Sequence, residues 1–102
     1  MLGFDFDMAV AVSELDAGMA HLLDKLGYGW LRHDRDAGAI FDVRLPSSHR
    51  VRVDIGPLPR DRVSTAVFLP RTSLRADSDD ASDAELDLLR QAIIRAFLRV
   101  MG

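Results

Sequence analysis

The heptapeptide RHDRDAG holds the densest group of side chains in this chain that could do chemistry. His33, Asp34 and Asp36 could offer one imidazole and two carboxylates to a metal ion. A calcium loop that begins at Asp34 needs an acid at its fifth position and glycine at its sixth, but those places hold Gly38 and Ala39. Aspartate favours turns and glycine accepts a positive φ. We therefore predict a charged turn between two strands.

A second candidate for metal binding is the run of acids Asp77, Asp79, Asp80 and Asp83. The run lacks the central glycine and the spaced terminal carboxylate of a calcium loop. Acids just before a helix also interact favourably with the positive end of its dipole. We predict no metal-binding residues.

Nucleophilic catalysis has one candidate group, Ser47 and Ser48 beside His49, with Asp54 further along. Neighbouring loop residues rarely point at one another, and the chain has no G-x-S-x-G nucleophile elbow. It also lacks phosphate-binding loops, dinucleotide fingerprints and cysteines. We predict no catalytic residues and no cofactor, and we favour a non-enzymatic protein while leaving the question of an enzyme open.

Length and composition predict a single domain, residues 1–102, in the cytoplasm. Hydrophobic residues make up 48% and charged residues 28%, as in ordinary globular chains. No stretch approaches the roughly 20 apolar residues that span a bilayer. The N-terminus carries acids where a signal peptide needs a basic segment. We expect no membrane partner.

Arginine and aspartate dominate the charged residues. Lys25 is the only lysine among 13 basic residues, and 14 of the 16 acids are aspartate. The planar guanidinium of arginine suits bidentate recognition of anions. Because the bias runs along the whole chain, it identifies no site, and it can equally be compositional.

The pattern of apolar residues at the start of the chain predicts a strand followed by a helix. Alternation predicts a strand over 2–12 with one buried face. Ser13 and Asp16 resemble a capping box, which predicts a helix over 14–26. Gly27 fits the left-handed residue that ends many helices.

Strand patterns occupy the middle of the chain. Alternation predicts strands over 28–33, 39–45, 50–56 and 62–69. The preferred pairing sets Val43 opposite Val51 and Asp42 opposite Arg52. A shift by two residues would instead place like charges opposite each other.

The last third of the chain combines a polar stretch with a second amphipathic helix. The polar residues 70–81 predict a mobile loop. Ser82 and Glu85 form a capping box that opens a helix over 83–101.

The resulting element order, β-α-β-β-β-β-α, predicts an α+β fold. We expect a five-stranded antiparallel sheet with both helices packed on one face. This order resembles that of TATA-binding-protein-like and helix-grip folds, in which a C-terminal helix crosses a curved antiparallel sheet. The resemblance is topological, rests on no sequence motif and implies no function.

Charge is divided unevenly along the chain. Residues 1–43 hold eight acids and three bases (net −5), residues 44–75 two acids and seven arginines (net +5), and residues 76–102 six acids and three arginines (net −3). The expected strand pairing places many of these arginines near the sheet face opposite the helices. The candidate interaction surface is Arg32, Arg44, Arg50, Arg52, Arg60, Arg62 and Trp30.

These features predict a small, non-enzymatic protein-interaction module that acts through a mixed-charge sheet face or edge. One alternative is a small-molecule pocket between the C-terminal helix and the sheet, although Phe6, Phe41, Phe68 and Phe97 are bulky enough to fill that space. The other is nucleic-acid binding by the arginines of 44–75. A pI near 5.5 and the interspersed aspartates disfavour nucleic acid.

The expected partner is a protein, and a second copy of this chain is the first candidate. The charge blocks of opposite sign in the N-terminal and middle strands could complement one another between chains. An unpaired strand edge is also a template for further pairing, and closed two-fold dimers are the commonest assembly of soluble proteins. The same charges could instead pair within one chain, and edge arginines can block association. We expect a homodimer that added salt weakens.

Overall fold

The computed structural model describes residues 2–58 and 71–97, which form five strands and two helices. In chain order the elements are β1 (Leu2–Met8), α1 (Val12–Leu26), β2 (Gly29–Arg35), β3 (Gly38–Arg44), β4 (Arg50–Pro57), β5 (Thr72–Ser78) and α2 (Asp83–Ala96). This order confirms the predicted β-α-β-β-β-β-α arrangement and the α+β class. Neither of these two helices is long and apolar enough to cross a membrane.

All five strands belong to one antiparallel sheet with the order β1-β5-β4-β3-β2. The β3–β4 register pairs Val43 with Val51 and sets Asp42 opposite Arg52, as predicted. Because β1 lies beside the last strand, β1 and β2 form the two edges of the described sheet.

Both helices pack on the same face of the sheet, as predicted. α1 contacts β2, β3 and β4, whereas α2 contacts β1 and α1. Where the helices meet, a Cβ added to Gly18 would lie 2.7 Å from the ring of Phe97, so glycine allows their close approach. Large side chains are fully buried between the layers, among them Phe41, Val53, Ile55, Leu74, Leu15, Met19, Leu23, Leu89 and Ile93. Each contributes about 1.5–3 kcal/mol to holding the layers together.

β5 corrects the prediction of a mobile loop over 70–81, because this stretch contains a strand between β1 and β4. Its inward-facing residues alternate with outward ones, but two of the four are hydroxyl residues. The Thr72 hydroxyl donates to the carbonyl oxygen of Val10 at 2.5 Å, and the Ser78 hydroxyl donates to that of Arg50 at 2.6 Å. These hydrogen bonds satisfy the buried polar atoms, so a strand that appears polar in sequence is buried.

Two other predicted elements extend beyond what the structure describes. The predicted strand 62–69 lies outside the described residues, as do residues 98–101 of the predicted last helix. The first strand is shorter than predicted and ends at Met8.

The helix ends that were predicted from Gly27 and from Ser82 with Glu85 are confirmed. Gly27 ends α1 in the left-handed conformation with φ of 76°. At α2 the backbone N–H of Glu85 donates to the Ser82 hydroxyl at 3.2 Å, and the backbone N–H of Ser82 donates to the Glu85 carboxylate at 3.0 Å. This reciprocal pair is the predicted capping box.

The predicted capping pair of Ser13 and Asp16 is wrong. α1 begins at Val12 after Ala11, which has no side chain that can cap the helix. The carboxylate of Asp16 is instead bound by Arg32 of β2. A contact between distant parts of the chain therefore replaces the local one.

A two-residue turn joins β2 to β3 and confirms the predicted turn, with Arg35 and Gly38 as its closing pair. The positive φ, 29°, belongs to Asp36 rather than to the glycine. Gly38 is needed for a different reason, because a Cβ at this position would lie 1.9 Å from the carbonyl oxygen of Ile55. The hairpin is thus held tightly against the backbone of β4.

Candidate interaction surface

Three of the predicted surface arginines, Arg44, Arg50 and Arg52, are exposed on the face of the sheet opposite the helices. We call this the open face. It is formed by the outward residues that alternate with the buried ones of each strand. Arg60 and Arg62 lie outside the described residues.

The predicted placement of Arg32 and Trp30 on the face opposite the helices is wrong, because β2 turns both toward the helices. Arg32 lies opposite the buried Phe41, and Trp30 lies opposite the buried Val43. Directly opposite residues of an antiparallel pair share a face. The Trp30 ring packs on Phe41 with 5.4 Å between centroids, and its indole N–H donates to Asp24 of α1 at 2.9 Å. Trp30 therefore packs at the edge of the hydrophobic core.

Arg32 ties α1 to β2. Its Nε and Nη2 donate to the Asp16 carboxylate at 2.9 and 2.6 Å, and its Nη1 donates to Asp34 Oδ1 at 2.7 Å. The hydrogen bonds that Arg32 donates to Asp16, and then the one to Asp34, raise the pKa of Arg32. Charge-assisted, bidentate pairs of this kind are stronger and more directional than neutral hydrogen bonds. Nothing local in the sequence signals this pair, since its members are on different elements.

The open face carries acids and arginines in alternation across the strands, except beside the β3–β4 loop, where Arg44 lies opposite Arg50. Two cross-strand rows show this alternation, Asp5–Arg75–Asp54 and Asp77–Arg52–Asp42. Polar contacts also join β2 to β3 and β4: His33 Nε2 lies 3.0 Å from Asp42 Oδ2, and Arg35 bonds to Asp54. Acids and arginines from the oppositely charged segments of the sequence thus lie opposite each other within one chain, rather than pairing between two chains. A surface of balanced sign does not suit phosphate binding, which needs net positive charge.

A groove lies on the open face beside the β2–β3 turn. It has a volume of about 410 Å³, and Gly56 and Ser73 lie opposite each other at its base. A Cβ added to Gly56 would meet no atom within 4 Å, so small residues on adjacent strands create the depression. Charged side chains, Asp7 and Arg35 among them, line its walls, and none of its lining residues belongs to α2. It is therefore a different place from the predicted pocket under the C-terminal helix.

A polar cluster formed by Ser47, His49 and Glu85 fastens the β3–β4 loop to the first turn of α2; we call it the clasp. The Ser47 hydroxyl donates to Glu85 Oε2, and His49 Nδ1 lies 2.7 Å from Glu85 Oε1. Chiefly through the Ser47 hydrogen bond, the pKa of Glu85 falls to about 2, while the bond to Glu85 raises the pKa of His49. In a catalytic triad the imidazole accepts the hydroxyl proton. Here the hydroxyl donates to the carboxylate, so the clasp has the geometry of a structural contact and not that of a catalytic triad.

The residues weighed as metal ligands do not converge. His33 and Asp34 point to opposite faces of β2, where they pair with Asp42 and Arg32. Asp80 accepts a hydrogen bond from the backbone N–H of Arg50 at 3.1 Å, which lowers its pKa. Within residues 2–58 and 71–97, no three histidine or acidic side chains come together as a metal site.

The outer edge of β2 is the most exposed part of the sheet. Six of the seven β2 residues are exposed, and Leu31 is 67% exposed. No other strand in the described part of the chain pairs with this edge. The residues that close a two-residue turn share both hydrogen bonds, and the pattern then alternates along the hairpin. The backbone groups of Trp30, Arg32 and Asp34 consequently point away from the sheet.

Comparisons of this chain with protein-family models, with curated proteins and with solved structures find no match.

Proposed function

We propose that this chain is a small protein-interaction module that self-associates through the outer edge of β2. The observation that carries the proposal is the outward row of backbone groups at Trp30, Arg32 and Asp34, which no described strand pairs. Unpaired N–H and C=O groups along a strand recognise another strand by main-chain hydrogen bonds.

The state of the other surfaces supports the choice of this edge. On the open face the rows of charges already complement one another within the chain. The groove is charged and open, whereas small-molecule sites are mostly apolar and enclosed. The outer edges of β1 and β2 are the two described surfaces whose backbone hydrogen-bonding groups are in a row and unpaired, and of these the β2 edge carries charges of both signs.

The features of this edge favour specific rather than indiscriminate pairing. Natural edge strands that must stay single commonly carry charged side chains, proline or a bulge. β2 has neither proline nor a bulge in its seven residues, and Leu31 adds an exposed apolar side chain beside its charged ones. Its charges are of both signs, so they select a register. The absence of cysteines from the sequence supports a cytoplasmic location for the module.

Light scattering across a dilution series tests the proposal. The mass should rise from 11.3 kDa toward twice that value as the concentration increases. The variant Asp34→Pro removes one outward N–H, so it should remain monomeric. It should also fold, since proline is tolerated at the free side of an edge strand. Asp34→Ala is the matched control, because it loses the same carboxylate but keeps the N–H, and it should still dimerise. A wild-type mass of 11.3 kDa at every concentration and ionic strength would overturn the proposed function.

A further inference from the structure

We propose that two copies of the chain pair their β2 strands antiparallel about a two-fold axis through His33, so that Arg32 of each copy lies opposite Asp34 of the other. This inference rests on the proposed self-association and specifies its register. The dimer would be one sheet of ten strands with all four helices on the same side.

Symmetry limits the registers that are available to such a dimer. The two-fold axis of an antiparallel pair stands perpendicular to the sheet and passes where one residue faces its own copy. Four residues in the middle of β2 could occupy the axis: Leu31, Arg32, His33 and Asp34. In every case directly opposite residues share a face, so the charges on the helix side decide among the registers.

The signs of these charges select one register. An axis at Arg32 sets two guanidinium groups against each other, and an axis at Asp34 does the same with two carboxylates; directly opposed like charges are destabilising. An axis at Leu31 sets Arg32 opposite Trp30 and forms no ion pair. An axis at His33 sets Arg32 opposite Asp34 twice. This register also joins residues whose backbone groups point outward, as strand pairing requires.

The side chains of Arg32 and Asp34 are placed to form a closed group of four. Asp34 is bonded to Arg32 of its own chain through Oδ1, and 88% of its side chain is exposed. In the dimer each carboxylate would lie between two guanidinium groups, its own and that of the second copy. Asp16 already fixes Arg32, so little additional side-chain order is needed.

The same register covers the exposed leucine on the open face. An axis at His33 sets Leu31 opposite Arg35 of the second copy. The aliphatic part of an arginine can lie along an apolar side chain while its charged end stays in water. Arg35 keeps its carboxylate partner Asp54, which lies on the same open face. The open faces of the two copies would then form one continuous charged surface.

Single cysteine variants test this register, because the natural sequence contains no cysteine. Across a non-hydrogen-bonded antiparallel pair the Cα atoms are about 4.5 Å apart, which a disulfide can bridge. His33→Cys should therefore form a covalent dimer under mild oxidation. Leu31→Cys should not, because the two copies of this residue would be displaced by four residues, roughly 13 Å. Asp34→Cys, displaced by two residues or roughly 7 Å along the strands, should also stay uncoupled.

His33→Cys is expected to keep the fold. The His33–Asp42 pair that it removes has half-exposed members, with side-chain exposures of 57% and 50%, and exposed ion pairs contribute little. Circular dichroism of the reduced variant provides the check, and its light-scattering mass should match the wild type.

Each outcome separates the register from the proposed function. Coupling of Leu31→Cys or Asp34→Cys in place of His33→Cys would overturn the register and leave association through β2 standing. A wild-type dimer in which none of the three variants couples would overturn the register, and an Asp34→Pro variant that still dimerises would overturn association through β2 as well. Coupling of His33→Cys alone would establish the register.

Discussion

The two edges of the sheet differ in the sign pattern of their charges as well as in their exposure. β1 shows the solvent only acids on its open side, Asp5 and Asp7. β2 carries both signs, with Arg32 beside Asp34 on one side of the strand. Two β1 strands that paired with each other would bring carboxylates together, whereas two β2 strands can bring opposite charges together. Whether an edge can pair with itself thus depends on charge order along the strand.

The difference also bears on how large an assembly can grow. Pairing of β1 with β2 would join unlike edges and could continue without limit. Pairing of β2 with β2 leaves two acidic β1 edges at the ends, and these repel each other. In the monomer Asp5 already lies opposite Arg75, which reduces its attraction for a second chain. The sign pattern therefore favours a closed dimer over a filament.

The largest expected effect concerns the hairpin that presents β2. Gly38→Ala places a Cβ 1.9 Å from the Ile55 carbonyl oxygen, a backbone atom that cannot move away easily. We expect a loss of about 1–3 kcal/mol in the free energy of unfolding, measured by urea denaturation, together with weaker dimerisation. Gly56→Ala is the matched control, because its Cβ meets no atom within 4 Å. Equal stability of the two variants would contradict the tight packing of the hairpin.

Reversing one aspartate charge on each edge tests directly whether the two edges differ in dimerisation. Asp34→Arg replaces attraction by repulsion at two symmetric pairs, and each cross-strand charge pair is worth roughly 0.2–1 kcal/mol. The dimer dissociation constant should rise about tenfold. Asp7→Arg makes the same change on β1, opposite the uncharged Ser73, and should leave dimerisation unchanged. Sedimentation equilibrium measures both, and equal effects of the two substitutions would contradict the distinction between the edges.

Added salt should change the dimer dissociation constant by a smaller amount, and this change tests the contribution of the Arg32–Asp34 pairs. Raising the salt from 0.1 M to 1 M shortens the screening length from about 10 Å to about 3 Å. The wild-type dissociation constant should increase several-fold, as measured by sedimentation. Asp34→Ala lacks the charge pair and should show a weaker salt dependence. Identical salt dependence of the two proteins would assign the electrostatic contribution to other charges.

The smallest expected effect is a pH dependence of the clasp, which changes the stability of the fold but not the pairing at the outer edge of β2. The raised pKa of His49 stabilises the fold below its ordinary value of 6.5, and this contribution is lost as the pH rises through the raised value. The lowered pKa of Glu85 stabilises above 4.5, and its contribution is lost as the pH falls toward about 2. The clasp is therefore strongest between about pH 4.5 and 6.5.

The variant His49→Gln tests this window. Urea denaturation should show a larger difference from the wild type at pH 5.5 than at pH 8.5. The dimer dissociation constant should not change, because none of the hydrogen bonds of the clasp involves β1 or β2. A difference in stability that is greater at pH 8.5 would contradict the assigned direction of the His49 shift.

The parts of the fold that could be predicted are those with short-range signals. The register of β3 and β4 follows from apolar alternation and from the opposition of Asp42 and Arg52. The start of α2 follows from a capping pair three residues apart. β5 could not be predicted in this way, because Thr72 and Ser78 are buried with their hydroxyls bonded to distant carbonyls. The strand pattern was present but half of its inward positions were polar.

The candidate surface was harder to predict because it depends on which strands lie at the edges. The sequence indicates that some strand edge needs protection. It does not indicate which one, because β1 pairs with β5, a strand far away in the sequence. The face of Arg32 could not be predicted from the strand pairing, because the register that the sequence indicates is that of β3 against β4 and does not include β2. The aromatic Trp30 two residues earlier gives the correct indication.

Amide hydrogen exchange at the outer edge of β2 tests the central claim most directly. In a dimer with its axis at His33, the backbone N–H groups of Arg32 and Asp34 bond to the second copy and should exchange slowly at high protein concentration. On dilution below the dissociation constant, both should exchange at the rate of an exposed strand edge, while amides of β3 and β4 stay protected. Fast exchange of Arg32 and Asp34 at every concentration, in a protein whose β3 and β4 amides remain protected, would contradict pairing through β2.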